Sequence, residues 1–220
     1  MRNYLSQSNL RQAVFWGFIL VLMSMPRIIV CGMAPVFYGS AAFLSMTLIS
    51  GAATAWGAHA GMCGVFPGRR RTLTGMALAA LLSLMMLPIY IVWIDPLLLP
   101  AIKTTGDANM LAMRYPTTVS AQLALFMWSA SFEVMLFQGG VMSVVSRITG
   151  RQWIAVLAAV GVRTFVTSEQ LSPLHLVHAS TFLLSSSALI TTVSCMLFAR
   201  FGLPASMTFS SGICLHILFQ

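Results

Sequence analysis

The feature that most constrains this 220-residue chain is a succession of apolar runs too long for the interior of a soluble domain. A helix that crosses a bilayer needs about 20 predominantly apolar residues. Hydropathy places seven candidates, at roughly 12–32, 36–66, 75–95, 119–146, 152–168, 176–199 and 202–219. The runs lack two-residue alternation, so strands are not expected. Composition agrees. The chain is 58% hydrophobic and 7% charged, where a soluble domain carries about 25% charged residues. Such a chain hides its surface only in lipid, and it is too apolar for disorder. The predicted fold is all-α: a polytopic transmembrane helix bundle of about seven spans, with no room for a separate soluble domain.

Twelve Lys and Arg face four Asp and Glu, for a net charge of +8. In a soluble protein that balance suggests nucleic acid. Here no basic stripe is interleaved with exposed aromatics, and no nucleic-acid partner is expected. Membrane proteins instead collect Lys and Arg in cytoplasmic loops. The block Arg69-Arg70-Arg71 between spans two and three is therefore expected inside, with Arg2, Arg11, Arg147, Arg151 and Arg200. Arg27, Lys103, Arg114 and Arg163 fall on or near the outer side. Eight against four implies a cytoplasmic N-terminus. Asp95 to Pro116, with Pro96, Pro100, Asp107 and Arg114, reads as the longest polar connection and an outer loop. The run Ala13 to Met25 has the length of a signal peptide, but no small-x-small cleavage site follows. It is expected as a retained first helix.

Cys31, Cys63, Cys195 and Cys214 form no C-x-x-C pair and no zinc spacing. They read as small hydrophobes, and neither metal nor cofactor is expected. Ala53, Gly57 and Gly61, and the serines at 185–187, read as close-packing faces between helices.

Ionisable groups at membrane depth are costly and mark functional sites. Glu133 is the sharpest, within the apolar run from Phe126 to Gly140. A carboxylate there costs about 2.5–3.5 kcal/mol on insertion scales. It must be paired, protonated or in contact with water. His216 and Gln220 lie four apart at the C-terminus and share a helix face. His175 and His178 open span six as near neighbours. His59, between two glycines in span two, reads more simply as a packed, hydrogen-bonded group. A buried Glu suits a general base. A His suits donation to a developing oxyanion. Together they can activate water for amide hydrolysis; the same groups can relay protons in a transporter. G-x-S-x-G and H-E-x-x-H are absent, as are paired intramembrane aspartates.

The stretch from Ser131 to Gln220 resembles the CPBP family of intramembrane proteases, the CAAX-protease and bacteriocin-processing proteins. The family's EExxxR motif aligns with Glu133-Val134-Met135-Leu136-Phe137-Gln138. A linker with Arg147 and Arg151 leads into Trp153-Ile154-Ala155. Arg200-Phe201-Gly202 then precedes Leu215-His216-Ile217-Leu218-Phe219-Gln220, at the place of the family's HxxxN motif. The second Glu is Val134 here and the Arg is Gln138. Those positions are four apart on a helix, so a possible ion pair is lost without stranding a charge. Phe165 is followed four residues later by Glu169 where the family has His, and His175 or His178 stands nearby.

The resemblance implies a catalytic bundle over 117–220, behind N-terminal transmembrane helices and an outer loop over 1–116. It implies a glutamic-type endopeptidase in the bacterial inner membrane, cutting a membrane-anchored protein or peptide without a metal. Glu133 would activate water. His216 and one of His175 and His178 would assist and stabilise the oxyanion. Gln220 would orient His216, with Gln138 and Glu169 in support. The alternatives are a catalytically inactive relative serving as membrane scaffold or chaperone, and a small proton-coupled transporter.

Overall fold

The computed structural model describes residues 6–57, 61–63, 65–106, 111–112, 114–174 and 180–219. These residues form helices and their connections, with no strand among them. Six helices are long and apolar enough to cross a membrane, and a shorter apolar one follows. The chain is a multi-pass helical membrane protein.

Helix α1 (Gln7–Val30) starts where the Ser6 side chain accepts a hydrogen bond from the Asn9 N–H. It ends at Gly32, which takes a positive φ of 66° that other residues disfavour. Pro35 opens α2 (Pro35–Gly57), where its missing N–H is harmless. The second span thus ends at residue 57 rather than 66. The segment that follows tucks against the corner between the last two helices. Cys63 donates its N–H to the Ala199 carbonyl, and Val65 accepts from Leu203.

Helix α3 (Arg69–Ile89), a π-helical turn (Tyr90–Ile94) and α4 (Asp95–Thr105) form one continuous helix of 37 residues. At 1.5 Å per residue it is about 55 Å long, more than a bilayer's thickness. The outer loop expected from Asp95 is therefore helical as far as Thr105. Pro96 sits at the start of α4, where proline is tolerated. Asp95 is buried, so its charge marks a partner inside the bundle and not a connection in water.

The next long helix comprises α5 (Val119–Trp128), π-helical turns over Ser129–Glu133 and Met135–Val141, and α6 (Met142–Thr149). Helix α7 (Gln152–Leu171) extends a full 20 residues, longer than the short fifth span read from hydropathy. Helix α8 (Ser180–Phe201) turns at Gly202 into α9 (Leu203–Cys214). A 3-10 stretch, Leu215–Phe219, finishes the described chain. Helix α9 and this stretch together are about 28 Å long.

Packing draws both halves of the chain into one core. Leu20 and Met46 from the first half meet Val134, Met135, Phe198 and Leu203 from the second. Some helices approach closely because a side chain is missing: α9 presents Gly212 to Ser83 of α3, leaving no space for a Cβ.

Candidate functional site

Among the described residues the helices line a partly open cavity of about 610 Å³, with polar and charged side chains set in a mostly apolar wall. It has the size of small-molecule and cofactor sites. Its walls come from α1, both long helices, the segment after α4, α7, α8 and the C-terminal stretch. All three π-helical turns border it. Tyr90 and Ile94 come from the first; Ser129, Glu133, Phe137 and Gln138 come from the other two. A π turn accommodates an extra residue in the helical ladder and re-aims the side chains that follow. Pro88 lies just before the first turn and supplies no N–H to the ladder.

Two carboxylates face this cavity, each with a basic partner. Glu133 Oε2 accepts from Arg163 Nη2 at 3.0 Å. The two side chains keep 33% and 27% of their exposure, so the pair is only partly buried. The guanidinium of Arg163 also lies 4.9 Å over the Phe137 ring. This bridge answers the cost of a carboxylate in an apolar helix.

Asp95 is more enclosed. Its Oδ2 lies 2.8 Å from His216 Nδ1, and its Oδ1 accepts from the Tyr115 hydroxyl at 3.0 Å. With a carboxylate at Nδ1, that ring nitrogen is the donor. The imidazole stacks on Tyr90, with centroids 4.6 Å apart. Burial and the adjacent Asp95 push the Tyr115 phenol above its ordinary range, which keeps its proton available for donation.

Glu133 and His216 therefore line the same cavity, held by different partners. Gln138 also lies in the wall. Its Nε2 donates to Ser194 Oγ at 3.1 Å, and Ser194 in turn pairs with Ser206 at 2.7 Å. The Gln138 Oε1 is buried without a partner. Val134, which follows Glu133, is packed in the core. Glu169 is exposed on α7 and stands apart from the cavity lining. His59, His175, His178 and Gln220 lie outside the described residues. Among the described residues no three His, Cys, Asp or Glu side chains gather as metal ligands.

Sequence reasoning missed Asp95, Arg163, Tyr90 and Tyr115. It also missed that Arg27 and Arg114 reach the cavity wall. One signal was available. Of the four cations assigned to the outer side, three line the cavity, and only Lys103 does not. The residues that depart from the positive-inside pattern are largely those of the site.

Comparison with protein-family models, with curated proteins and with solved structures finds no match to this chain.

Proposed function

We propose that this chain is an intramembrane endopeptidase similar to the CAAX proteases, hydrolysing a peptide bond of a membrane-anchored protein or peptide. The observation that carries the proposal is a cavity lined by both Glu133 and the Asp95-held His216. In this reading, Glu133 takes a proton from water as the water oxygen attacks the scissile carbonyl. The carbonyl oxygen gains the negative charge and is met by Arg163, whose guanidinium already faces the cavity. His216, as an imidazolium stabilised by Asp95, delivers a proton to the leaving amine, and the proton that Glu133 took from water then recharges the imidazole. The C–N bond breaks, giving a carboxylate and an amine. No metal takes part.

We place the protein in the bacterial inner membrane with Arg69 to Arg71 and the N-terminus in the cytoplasm. The eight-to-four distribution of basic residues supports that orientation. The cavity then lies towards the outer side.

One observation favours a second reading. The carboxylate of Glu133 is engaged by a guanidinium where a glutamic protease would pair it with histidine. That substitution suits a relative that binds a peptide in the cavity and does not cut it, a membrane scaffold or chaperone. Cleavage of membrane-anchored peptides by purified protein separates the two. Under the protease reading Glu133→Gln lowers turnover by about 10²–10⁴-fold. Peptide binding without cleavage by the wild type supports the scaffold.

A further inference from the structure

We propose that Tyr115 is a positioning residue for His216: its hydroxyl fixes the Asp95 carboxylate, and Asp95 in turn fixes the imidazole. The bearing of this chain on proton delivery rests on the protease reading; the arrangement of the three side chains does not.

The first argument is the way His216 is approached. The Asp95 N–H donates to the Tyr90 carbonyl and closes the first π turn. In a regular α-helix, residues five apart point about 140° away from each other. The i→i+5 bond of a π turn brings them towards one side. Tyr90 and Asp95 accordingly meet the same ring. Tyr90 lies against its face, with centroids 4.6 Å apart, and Asp95 Oδ2 is 2.8 Å from Nδ1. The aromatic contact sets the plane of the imidazole. The carboxylate sets its rotation within that plane.

The second argument is that the carboxylate must itself be set. The terminal torsion of an aspartate is broad and roughly two-fold, so one bond to His216 does not determine its plane. A second bond does. Tyr115 donates to Oδ1 at 3.0 Å, so each carboxylate oxygen has its own donor. The Asp95 side chain is 7% exposed, so these two donors, and not bulk water, set its plane.

The third argument is that the donor is rigid. Tyr115 is 8% exposed and packs with Ile94, Leu98, Ile102, Leu171, Leu174 and Leu183, which come from the first long helix, the end of α7 and α8. Its N–H donates to the Leu111 carbonyl at 2.8 Å. Packing alone asks for the ring of Tyr115. Only positioning asks for its hydroxyl, and Tyr115→Phe separates the two.

The test is nuclear magnetic resonance of the purified full-length protein in detergent, with nitrogen-15 in the histidine rings. The signal lost in His216→Gln identifies the ring. In the wild type, an Nδ1–H held by a buried carboxylate should give a far-downfield proton that exchanges slowly with water. Tyr115→Phe should move that signal upfield and make it exchange about tenfold faster or more. Tyr115→Met refills the same pocket with a flexible apolar chain and makes the same test if Tyr115→Phe does not fold. Tyr38→Phe, exposed on α2, should leave the signal in place. With a peptide that is cleaved, Tyr115→Phe should lower kcat about tenfold or more and keep KM within about twofold. A wild type without the downfield signal overturns the proposal, as does a signal unchanged in Tyr115→Phe. A shift further downfield also overturns it, because the hydroxyl would then compete with His216 for the carboxylate. A wild type that cleaves nothing removes the protease reading instead, since the His216 signal is read with no peptide present.

Discussion

Removing Arg163 should destabilise the fold more than removing Glu133, and removing both should recover part of the difference. An exposed ion pair contributes about 0–1 kcal/mol. Breaking a fully buried pair costs about 3–5 kcal/mol, because the surviving charge is stranded. The Arg163–Glu133 bridge is between these limits, with side chains 27% and 33% exposed on a cavity wall. Arg163→Gln leaves a carboxylate in an apolar helix and also removes the cation above Phe137. We expect a loss of about 2–3 kcal/mol. Glu133→Gln leaves a guanidinium that still faces the cavity and the ring, for a loss of about 1 kcal/mol. The double variant replaces the pair by two amides able to hydrogen-bond, with a coupling energy of about 1–2 kcal/mol. For a chain of this size each kcal/mol shifts Tm by about 2–4 °C, which thermal unfolding in detergent resolves. If the two single losses simply add in the double variant, the bridge does not stabilise the fold and the reasoning fails.

Asp95→Asn should impair His216 by weakening its hold on Nδ1 and on the imidazolium. Turnover should fall while peptide binding persists, and the pH profile of cleavage should move with it; an unchanged profile would remove Asp95 from the positioning of His216. Gly212→Ala should cost about 1–3 kcal/mol by driving a methyl group into Ser83, and Ser83→Gly should restore much of the loss in thermal unfolding. Gln138→Leu should fall within about 1 kcal/mol of the wild type, because loss of the Ser194 bond is offset by removal of the unpaired Oε1. Arg70→Cys should resist impermeant thiol reagents added to intact cells and react once the cells are opened, and labelling at this position in intact cells would invert the topology.

The bundle itself was legible because apolar runs of about 20 residues have few other solutions. Its boundaries were less so, for identifiable reasons. Asp95, Pro96, Pro100 and Asp107 carry the residue types of a loop. Yet Asp95 is taken inward by His216 and Tyr115, and the helix continues past it. The π turns leave no mark in residue type, so the alignment of Tyr90, Ser129 and Glu133 on one cavity could not be read from a regular 3.6-residue period. Glu133 and His216 stood out because each is isolated among apolar residues. Their partners did not. Asp95 is 121 positions from His216, and nothing local connects them. Arg163 was visible as an arginine within a hydrophobic span, but it is 30 positions from Glu133 and nothing local connects them. Charge at membrane depth carried more information about the site than motif spacing did.

The central claim is that water in this cavity attacks a peptide bond under the control of Glu133. The most direct measurement is cleavage of a membrane-anchored peptide by the purified protein in water enriched with oxygen-18, with the products read by mass spectrometry. Hydrolysis by the wild type should place one labelled oxygen in the newly formed carboxylate, and Glu133→Gln should yield almost no labelled product over the same time. Labelled product formed equally by both proteins, or no product from the wild type with any peptide that binds, would contradict the claim.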